Sequence, residues 1–288
     1  YIDEFPDISE DVFNIFSSRL SCAYSCADMT GNPKDPAHWS ENFLRKDIDL
    51  YFQRYTLYDN PFLTPQTIQD IERDYRGTVY FDRYVLGLPK RAEGLVFSDF
   101  ADNTERYMCE KSDVIGKPWL WCDIGFDIGG NNSAYAMTCS AMARNGVVYV
   151  LKSRKKQAQE LPMEDVARFA LDFIAECERE YGVRISTVNT DHVDVIINTL
   201  NEKRYIFRKT YKPPLEDRPF QMTLLMSRGC FKVVRGECDD LVDELQQVVF
   251  DDRAEKPIIL DDGSMQIDTV DSMTYSLADN WHYLNQSR

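Results

Sequence analysis

Residues 118–124 read Pro-Trp-Leu-Trp-Cys-Asp-Ile, a nearly all-apolar run that contains one acid, Asp123, and is followed by Gly125. A short apolar run bounded by turn-forming residues is typical of a buried strand. Burying an aspartate in such a strand costs free energy unless a partner offsets its charge. The stretch therefore predicts a central strand, and it favours a functional role for Asp123 over a structural one.

The residues that follow this strand predict an α/β fold. Residues 134–142 and 147–151 flank Asn145-Gly146, a dipeptide typical of a tight hairpin turn. Apolar residues recur at spacings of three and four over 166–181, which predicts a helix that Pro162 opens and Gly182 closes. A further strand is predicted over 183–188, and further helices over 193–200, 239–250 and 271–281. This order indicates a mixed central sheet flanked by helices.

The N-terminal part of the chain is less regular. It contains an amphipathic pattern that predicts a helix near residues 10–20, followed by loops rich in asparagine and proline. The stretch 102–117 is polar and ends near Gly116 and Pro118, so it is the best candidate for a boundary. We therefore predict two domains, over residues 1–110 and 111–288.

Composition limits the possible classes of protein. The chain has 288 residues and a formal charge of −15, from 33 basic and 48 acidic side chains. Such an excess of acid argues against a protein that coats nucleic acid non-specifically. No run of about 18 uncharged apolar residues occurs, so no transmembrane helix is predicted. Residues 1–5, Tyr-Ile-Asp-Glu-Phe, lack the basic and apolar regions of a signal peptide.

Several other aspartates stand at positions where chemistry is expected. Asp191 follows the predicted strand 183–188, so it faces the carboxyl edge of the sheet. Asp268 and Asp271 are three residues apart near the start of the last helix, and hence on one face of it. If that helix packs against the strand ends, these acids converge with Asp123. Carboxylates without histidine or cysteine partners favour a hard cation, Mg²⁺ or Mn²⁺, and two such ions can hydrolyse a phosphodiester.

Simpler roles for these acids remain open. Asp191 precedes a predicted helix, where capping is as good an explanation as metal binding. Asp268 and Asp271 lie in an acid-rich tail, where isolated acids are more often solvated or capping. Asp127 and Asp194 are interpreted as a loop residue and a first-turn residue.

A basic band lies in the middle of the second domain. Residues 203–235 contain nine basic side chains against Glu216 and Asp217, and aromatic residues stand between them. Such a band suits a phosphate backbone, although a run of charge is often only a solvated face. The DNA-binding candidates are Lys203, Arg204, Arg208, Lys209, Lys212, Arg228, Lys232 and Arg235.

Short motifs in the first domain resemble the large subunit of tailed-bacteriophage terminase, which packages viral DNA. Residues 1–4, Tyr-Ile-Asp-Glu, are similar to the end of a Walker B strand. The resemblance implies that Asp3 binds Mg²⁺ and that Glu4 activates water for ATP hydrolysis. Residues 30–33, Thr-Gly-Asn-Pro, resemble the motif that couples hydrolysis to movement. Residues 58–61, 84–87 and 94–97 resemble the segments that lead out of the ATPase domain and into the nuclease.

The resemblance also covers the second domain, and it implies an RNase H-like nuclease with a two-metal acidic site. Asp123 in Cys122-Asp-Ile-Gly125 matches the first acid of that family, and Asp191 the second. Asp271, within residues 268–275, matches the aspartate of the closing motif. The resemblance thus makes Asp123, Asp191 and Asp271 catalytic, and adds Asp268 to them as a metal ligand. Many members of the family have histidine where this chain has Asp268.

A Walker A loop, GxxxxGK[ST], occurs nowhere in the 288 residues. We therefore expect the chain to start partway through a P-loop ATPase domain and to lack ATPase activity, with ATP a cofactor of the complete protein only. The expected function is a Mg²⁺- or Mn²⁺-dependent endonuclease that cuts double-stranded viral concatemer DNA. The expected partners are DNA, the portal protein and the small terminase subunit, and no membrane. The expected location is the host cytoplasm and, transiently, the portal of the procapsid.

Two other functions remain open at this stage. The same acidic site serves RNase H-like integrases and resolvases, which differ in the reaction and not in the fold. The chain could also be a non-catalytic assembly module that docks on a portal ring.

Overall fold

The computed structural model of the chain describes residues 1–34, 36, 38–46, 48–90, 94–129, 133–185, 187–191, 206–261 and 265–284. The chain divides into two compact units. Unit 1 comprises Tyr1–Gly94 and Phe250–Ile258, and unit 2 comprises Leu95–Val249 and Ile259–Arg288. The division into an ATPase part over 1–110 and a nuclease over 111–288 stays a prediction.

Unit 1 is built from short helices joined by long loops. The α-helices are α1 (Glu10–Ser17), α2 (Trp39–Leu44) and α3 (Pro65–Tyr75); Phe5–Asp7 and Leu57–Asp59 form 3₁₀ turns, and Phe81–Val85 a π-helix. The hydroxyl of Ser9 accepts the amide of Val12 and so caps α1. The helix predicted near 10–20 is confirmed and ends at Ser17. Phe5, Phe13 and Trp39 form an aromatic core, with Phe5 5.2 Å and 5.0 Å from the other two ring centroids.

Unit 2 contains one seven-stranded sheet in the order β1-β7-β4-β3-β2-β5-β6. The strands are β1 (Met108–Cys109), β2 (Trp119–Asp127), β3 (Ala134–Ala143), β4 (Val148–Gln157), β5 (Thr187–Thr190), β6 (Ile206–Lys209) and β7 (Phe231–Val234). β3 pairs antiparallel with β2 and β4, and the other pairs of neighbours are parallel. The predicted hairpin is confirmed, and Gly146 adopts the left-handed conformation at its turn, with φ 82°.

The central strand β2 runs three residues further than predicted, to Asp127 instead of Ile124. The prediction took Gly125 as the end of the strand, but the ladder continues through Gly125↔Thr138 on one side and Gly125↔Asn189 on the other. Successive side chains of a strand point to opposite faces of the sheet. Cys122, Ile124 and Phe126 therefore join the main hydrophobic core on one face, and the odd-numbered residues face the other way.

Helices cover both faces of this sheet. They are α4 (Ser98–Asp102), α5 (Thr104–Tyr107), α6 (Met163–Tyr181), α7 (Asp217–Ser227), α8 (Asp239–Gln247), α9 (Asp268–Leu277) and α10 (Trp281–Leu284), with 3₁₀ turns at Lys111–Asp113, Ala158–Glu160 and Ala278–Asn280. The buried Phe173 and Ile174 of α6 pack into the core that contains Ile124. α9 packs on the opposite face, against β2 and β3.

Three of the four predicted helices of unit 2 can be compared with the structure. α6 ends at Gly182 as predicted, with φ 63°. α8 ends three residues before the predicted limit, and α9 begins three residues before it, at Asp268. The helix predicted over 193–200 lies outside the described residues. Within the described ranges, no helix is both long and apolar enough to cross a membrane.

Candidate active site

Two aspartates lie side by side at the carboxyl edge of the sheet. β2 and β5 are parallel neighbours with Phe126 opposite Thr190, so their chains leave the sheet together. Asp127 is the last residue of β2, and Asp191 directly follows β5. The amide of Asp191 donates to the carbonyl of Phe126 at 3.2 Å. Crevices at the carboxyl ends of parallel strands are where sheets of this kind bind their ligands.

The first turn of α9 brings two more aspartates to this edge. Asp268 is buried, and its Oδ1 accepts the amide of Ala134, the first residue of β3, at 3.1 Å. Asp271 lies one turn further on, on the same face of the helix. We call Asp127, Asp191, Asp268 and Asp271 the acid cluster.

A buried glutamate fixes the start of α9. Oε2 of Glu244, on α8, accepts the amides of Thr269 and Val270 at 2.9 Å and 3.1 Å. These amides have no acceptor within their own helix, and a negative charge at a helix N-terminus is favourable. Oε1 of Glu244 accepts from Lys155 on β4 at 2.9 Å. The first turn that carries Asp268 and Asp271 is thus tied to both a helix and a strand.

Their surroundings shift the pKa of two members of the acid cluster, Asp127 and Asp271. Burial, and after it the charges of the other three members, raise the pKa of Asp127 from its ordinary value to about 8, while Lys212 opposes this increase. Burial also raises the pKa of Asp271, to about 6, against the lowering effect of Arg218. Carboxylates placed so close together repel each other, and a cation between them would relieve that repulsion.

Two basic side chains reach the acid cluster. The ammonium of Lys212 lies 2.9 Å from Oδ2 of Asp191. Nη1 of Arg218 donates to Oδ1 of Asp271 at 2.9 Å. Lys212 lies in the segment that joins β6 to α7, and Arg218 lies in the first turn of α7.

The donor set of the acid cluster fits a hard divalent cation. It consists of carboxylate oxygens alone, which are the ligands that Mg²⁺ and Mn²⁺ prefer. Among the described residues, however, no three histidine, cysteine, aspartate or glutamate side chains converge so as to hold one ion. The acid cluster therefore has oxygen atoms suited to a divalent cation, but two of its carboxylates, Asp191 and Asp271, are paired with Lys212 and Arg218.

The structure does not bring Asp123 into the acid cluster. Asp123 is 5% exposed, and its Oδ2 accepts from the side-chain amide of Asn280 at 3.0 Å. It faces the same side of the sheet as Asp127, but four residues of strand, about 13 Å, separate the two. Asp127 was predicted to lie in a loop, and that prediction is wrong, since it ends β2. The predicted Asp191, Asp268 and Asp271 all lie near enough to Asp127 for their charges to raise its pKa.

A signal for Asp127 was present in the sequence. An acid at the carboxyl end of a parallel strand faces the ligand crevice, as Asp191 does. The same holds for Asp127 once β2 is extended through Gly125. Glycine commonly interrupts a strand, so the sequence predicts an end at Ile124 that the structure does not have.

The predicted basic band does not form one continuous surface. Arg208 and Lys209 lie on β6 at one edge of the sheet, whereas Lys232 lies on β7, with four strands between the two. Several members are also paired: Arg208 with Asp279, Lys212 with Asp191, and Arg235 with Glu105 and Glu110. Lys232 donates to the carbonyl of Arg106, and Arg228 directly follows α7. Lys203 and Arg204 lie outside the described residues.

The Walker B-like residues of unit 1 lie beside the predicted coupling motif. Ile2 and Met29 form a parallel bridge. The hydroxyl of Thr30 donates to Oδ1 of Asp3 at 2.5 Å, and the amide of Phe5 donates to the carbonyl of Thr30. Glu4 adopts a left-handed conformation, with φ 49°. A cavity of about 450 Å³ is lined in part by Thr30, Gly31 and Asn32.

Comparison with known proteins gives a match in structure and none in sequence. No protein-family model matches the chain. No curated protein sequence matches it either. One crystal form of the large terminase from a thermophilic bacteriophage superposes on 96% of this chain and 68% of that chain, with a TM-score of 0.78 and 19% identity. A second crystal form of the same terminase covers 99% and 67%, with the same TM-score and identity.

A third structure of this thermophilic-phage terminase, in complex with ATP-gamma-S, covers 96% of this chain and 68% of that chain, at a TM-score of 0.78 and 20% identity. The chain therefore has the fold of a phage large terminase, and the predicted resemblance is confirmed at the level of the fold. The predicted fold class, a mixed central sheet flanked by helices, is confirmed as well.

Proposed function

We propose that this chain is part of a phage large terminase and that unit 2 is a metal-dependent endonuclease for double-stranded DNA. The observation that carries the proposal is the acid cluster, which stands at the carboxyl edge of the sheet in a chain with a large-terminase fold. Fold alone does not fix function, but four oxygen-donor side chains at this edge limit the chemistry to that of hard cations.

The residues that would hold Mg²⁺ or Mn²⁺ are Asp127, Asp191, Asp268 and Asp271. The geometry favours Asp127 over Asp123 as the first ligand. The bound ions would supply an activated water and neutralise charge on the scissile phosphate. The other residues of the site position these carboxylates. Glu244 holds the first turn of α9, and the amide of Ala134 orients Asp268. The burial that raises the pKa of Asp127 means that this side chain must release a proton when a cation is bound.

DNA would reach the acid cluster from the edge formed by the ends of β2, β5 and β6. Lys209 is exposed at the end of β6, and Lys212 follows it three residues later. These two lysines are the members of the basic band best placed to contact a phosphate backbone beside the acid cluster. Contacts to phosphates carry no base information, so we expect cleavage with little sequence preference. The remaining candidates of the band stay predictions for DNA binding.

Cleavage of supercoiled plasmid tests this function. We expect nicked and linear product with Mn²⁺ or Mg²⁺ and none with EDTA. A product in which a short DNA end is joined to the plasmid would indicate an integrase-type reaction instead. Binding to an isolated portal ring without metal-dependent cleavage would indicate an assembly module and contradict the proposal.

The motor functions extend the same proposal. Asp3 and Glu4 belong to the ATP site of a complete large terminase, and the portal and the small terminase subunit are its packaging partners in the host cytoplasm. Because these 288 residues contain no Walker A loop, we expect a polypeptide of this sequence to release no phosphate from ATP above background. Turnover by the purified chain that is lost in Glu4→Gln would contradict this expectation.

A further inference from the structure

The two cations that contact the acid cluster are close together in the chain, with Lys212 in the segment between β6 and α7 and Arg218 in the first turn of α7. Lys212 reaches Asp191, and Arg218 reaches Asp271, each at 2.9 Å. Pro213 and Pro214 follow Lys212 directly, and proline restricts the backbone on both sides of it. The two cations are thus presented from a short, stiff piece of chain.

The two cations differ in their freedom to move. The side chain of Arg218 is only 9% exposed, and its Nε also donates to the carbonyl of Pro213 at 3.3 Å. The side chain of Lys212 is 39% exposed, and its Nζ lies 5.4 Å from the ring centroid of Tyr275. An ammonium on a flexible stem can change partners at low cost, whereas a buried, doubly bonded guanidinium cannot. Arg218 is therefore a fixed counter-ion, and Lys212 is an exchangeable one.

We propose that Lys212 competes with the divalent cation for Asp191, and that the cation releases it to bind the DNA phosphate next to the cleavage site. This inference rests on the proposed nuclease function. An Oδ2 atom of Asp191 that accepts from an ammonium is not available as a full metal ligand. Even when Asp127 holds a proton, three carboxylates against two cations leave a surplus of negative charge, which repels DNA until a divalent cation binds. The release of Lys212 would then add a positive charge where the phosphate arrives.

The proposal predicts opposite effects of one substitution on metal binding and on cleavage. Lys212→Gln removes the competitor, so the metal-free full chain should bind Mn²⁺ about tenfold more tightly, as expected for the loss of one unit charge a few ångström away. The same variant should cut plasmid at least about tenfold more slowly at saturating Mn²⁺, because the phosphate contact is lost. If Lys212 only stabilised the fold, the substitution would weaken both Mn²⁺ binding and cleavage.

Lys117→Gln is the matched control. Lys117 also lies over a tyrosine ring, 5.1 Å from the centroid of Tyr149, but it precedes β2 and so stands at the end of that strand opposite Asp127. Its substitution should change neither Mn²⁺ binding nor cleavage. Lys212→Arg is the second variant. Since arginine pairs with carboxylates more strongly than lysine does, it should weaken Mn²⁺ binding by about two- to threefold while it retains most of the cleavage.

Electron paramagnetic resonance titration of Mn²⁺ without DNA gives the affinities, and thermal melting shows whether each variant is folded. The order Lys212→Gln, wild type, Lys212→Arg, from tightest to weakest, supports the proposal. Equal or weaker Mn²⁺ binding by Lys212→Gln, in a wild type that binds Mn²⁺ and cuts DNA, overturns the proposal alone. A wild type that neither binds Mn²⁺ nor cuts DNA overturns the proposed function and this inference together.

Discussion

Gly125 on β2 lies directly against the backbone of Ser272 on α9. A Cβ at position 125 would stand 1.8 Å from the carbonyl oxygen of Ser272 and 2.5 Å from the amide nitrogen of Ser276. Only glycine leaves room for a helix to approach a strand this closely. The contact sets where α9 crosses β2, and hence which residue of β2 meets the first turn of the helix.

Gly125→Ala is therefore expected to destabilise the protein strongly. The methyl group cannot be accommodated unless α9 moves, so the free energy of unfolding should fall by more than about 3 kcal/mol. Gly182→Ala is the control, since Gly182 has φ 63° and open space around its Cα. It should cost only the left-handed penalty of about 1–2 kcal/mol. Equal melting temperatures of the two variants would show that the packing of α9 is not tight.

Asp127→Asn should abolish DNA cleavage, whereas Asp123→Asn should retain it. Asparagine at position 127 removes a charge from the acid cluster. At position 123 it keeps an oxygen that can accept from Asn280, the partner of Asp123 in the structure. Plasmid nicking with Mn²⁺ measures both. Loss of activity in Asp123→Asn with activity kept in Asp127→Asn would restore the assignment made from sequence.

Glu244→Ala should lower both stability and cleavage. It leaves the amides of Thr269 and Val270 without their acceptor and removes one of the two side chains that accept from Lys155, the other being Gln266, at a cost of about 2–4 kcal/mol. Asp240→Ala is the matched control on the same helix. Asp240 lies 3.9 Å from Lys155 and is half exposed, so its loss should cost less than about 1 kcal/mol. Chemical denaturation gives the two free energies, and similar values would contradict the capping role of Glu244.

The metal-free protein should lose stability as the pH rises from about 4 to about 8. Asp127 and Asp271 have folded-state pKa values of about 8 and about 6, above the ordinary value of an unfolded aspartate. In this interval the folded chain binds more protons than the unfolded chain, so the free energy of unfolding decreases with pH. Glu180, whose pKa is lowered to about 2, has the opposite effect, but only at the acid end of this interval, where the unfolded glutamate still binds protons.

Melting temperatures of the metal-free protein between pH 5 and pH 8.5 test this expectation. Asp127→Asn should flatten the decline and, at pH 8, raise the melting temperature by at least about 3 °C. Mn²⁺ should stabilise the wild type most at high pH, where the carboxylates are ionised. A pH profile unchanged in Asp127→Asn would mean that this side chain is not confined among the other acids.

Part of unit 2 could be predicted from local signals. The strand predicted over 183–188 is wrong in its bounds, since β5 spans Thr187–Thr190, and β1, β6, β7, α4, α5, α7 and α10 were not predicted. The hairpin of β3 and β4 follows from Asn145-Gly146, and α6 follows from its apolar spacing and from Gly182, because these signals act over a few neighbouring residues. The element ends were less reliable. β2 was ended at Ile124 because a glycine usually interrupts a strand, whereas here Gly125 serves the packing of a helix.

The basic band illustrates a second limit of the sequence. Residues 203–235 are close along the chain, but β6 and β7 stand at distant places in the sheet, with four strands between them. Sequence proximity therefore predicted a single surface that the strand order divides. Pairing of Arg208 and Arg235 with acids from distant parts of the chain was equally invisible, since those partners are 71 and 130 positions away.

The sequence by itself determined the α/β fold, the longest helix and the strands at the centre of the sheet, and three members of the acid cluster. It could not choose between Asp123 and Asp127, because both lie on the same face of β2 and the period of a strand distinguishes only faces. The choice depends on the position along the strand at which α9 crosses. The contact between Gly125 and Ser272 decides that position, and only the tertiary structure contains it.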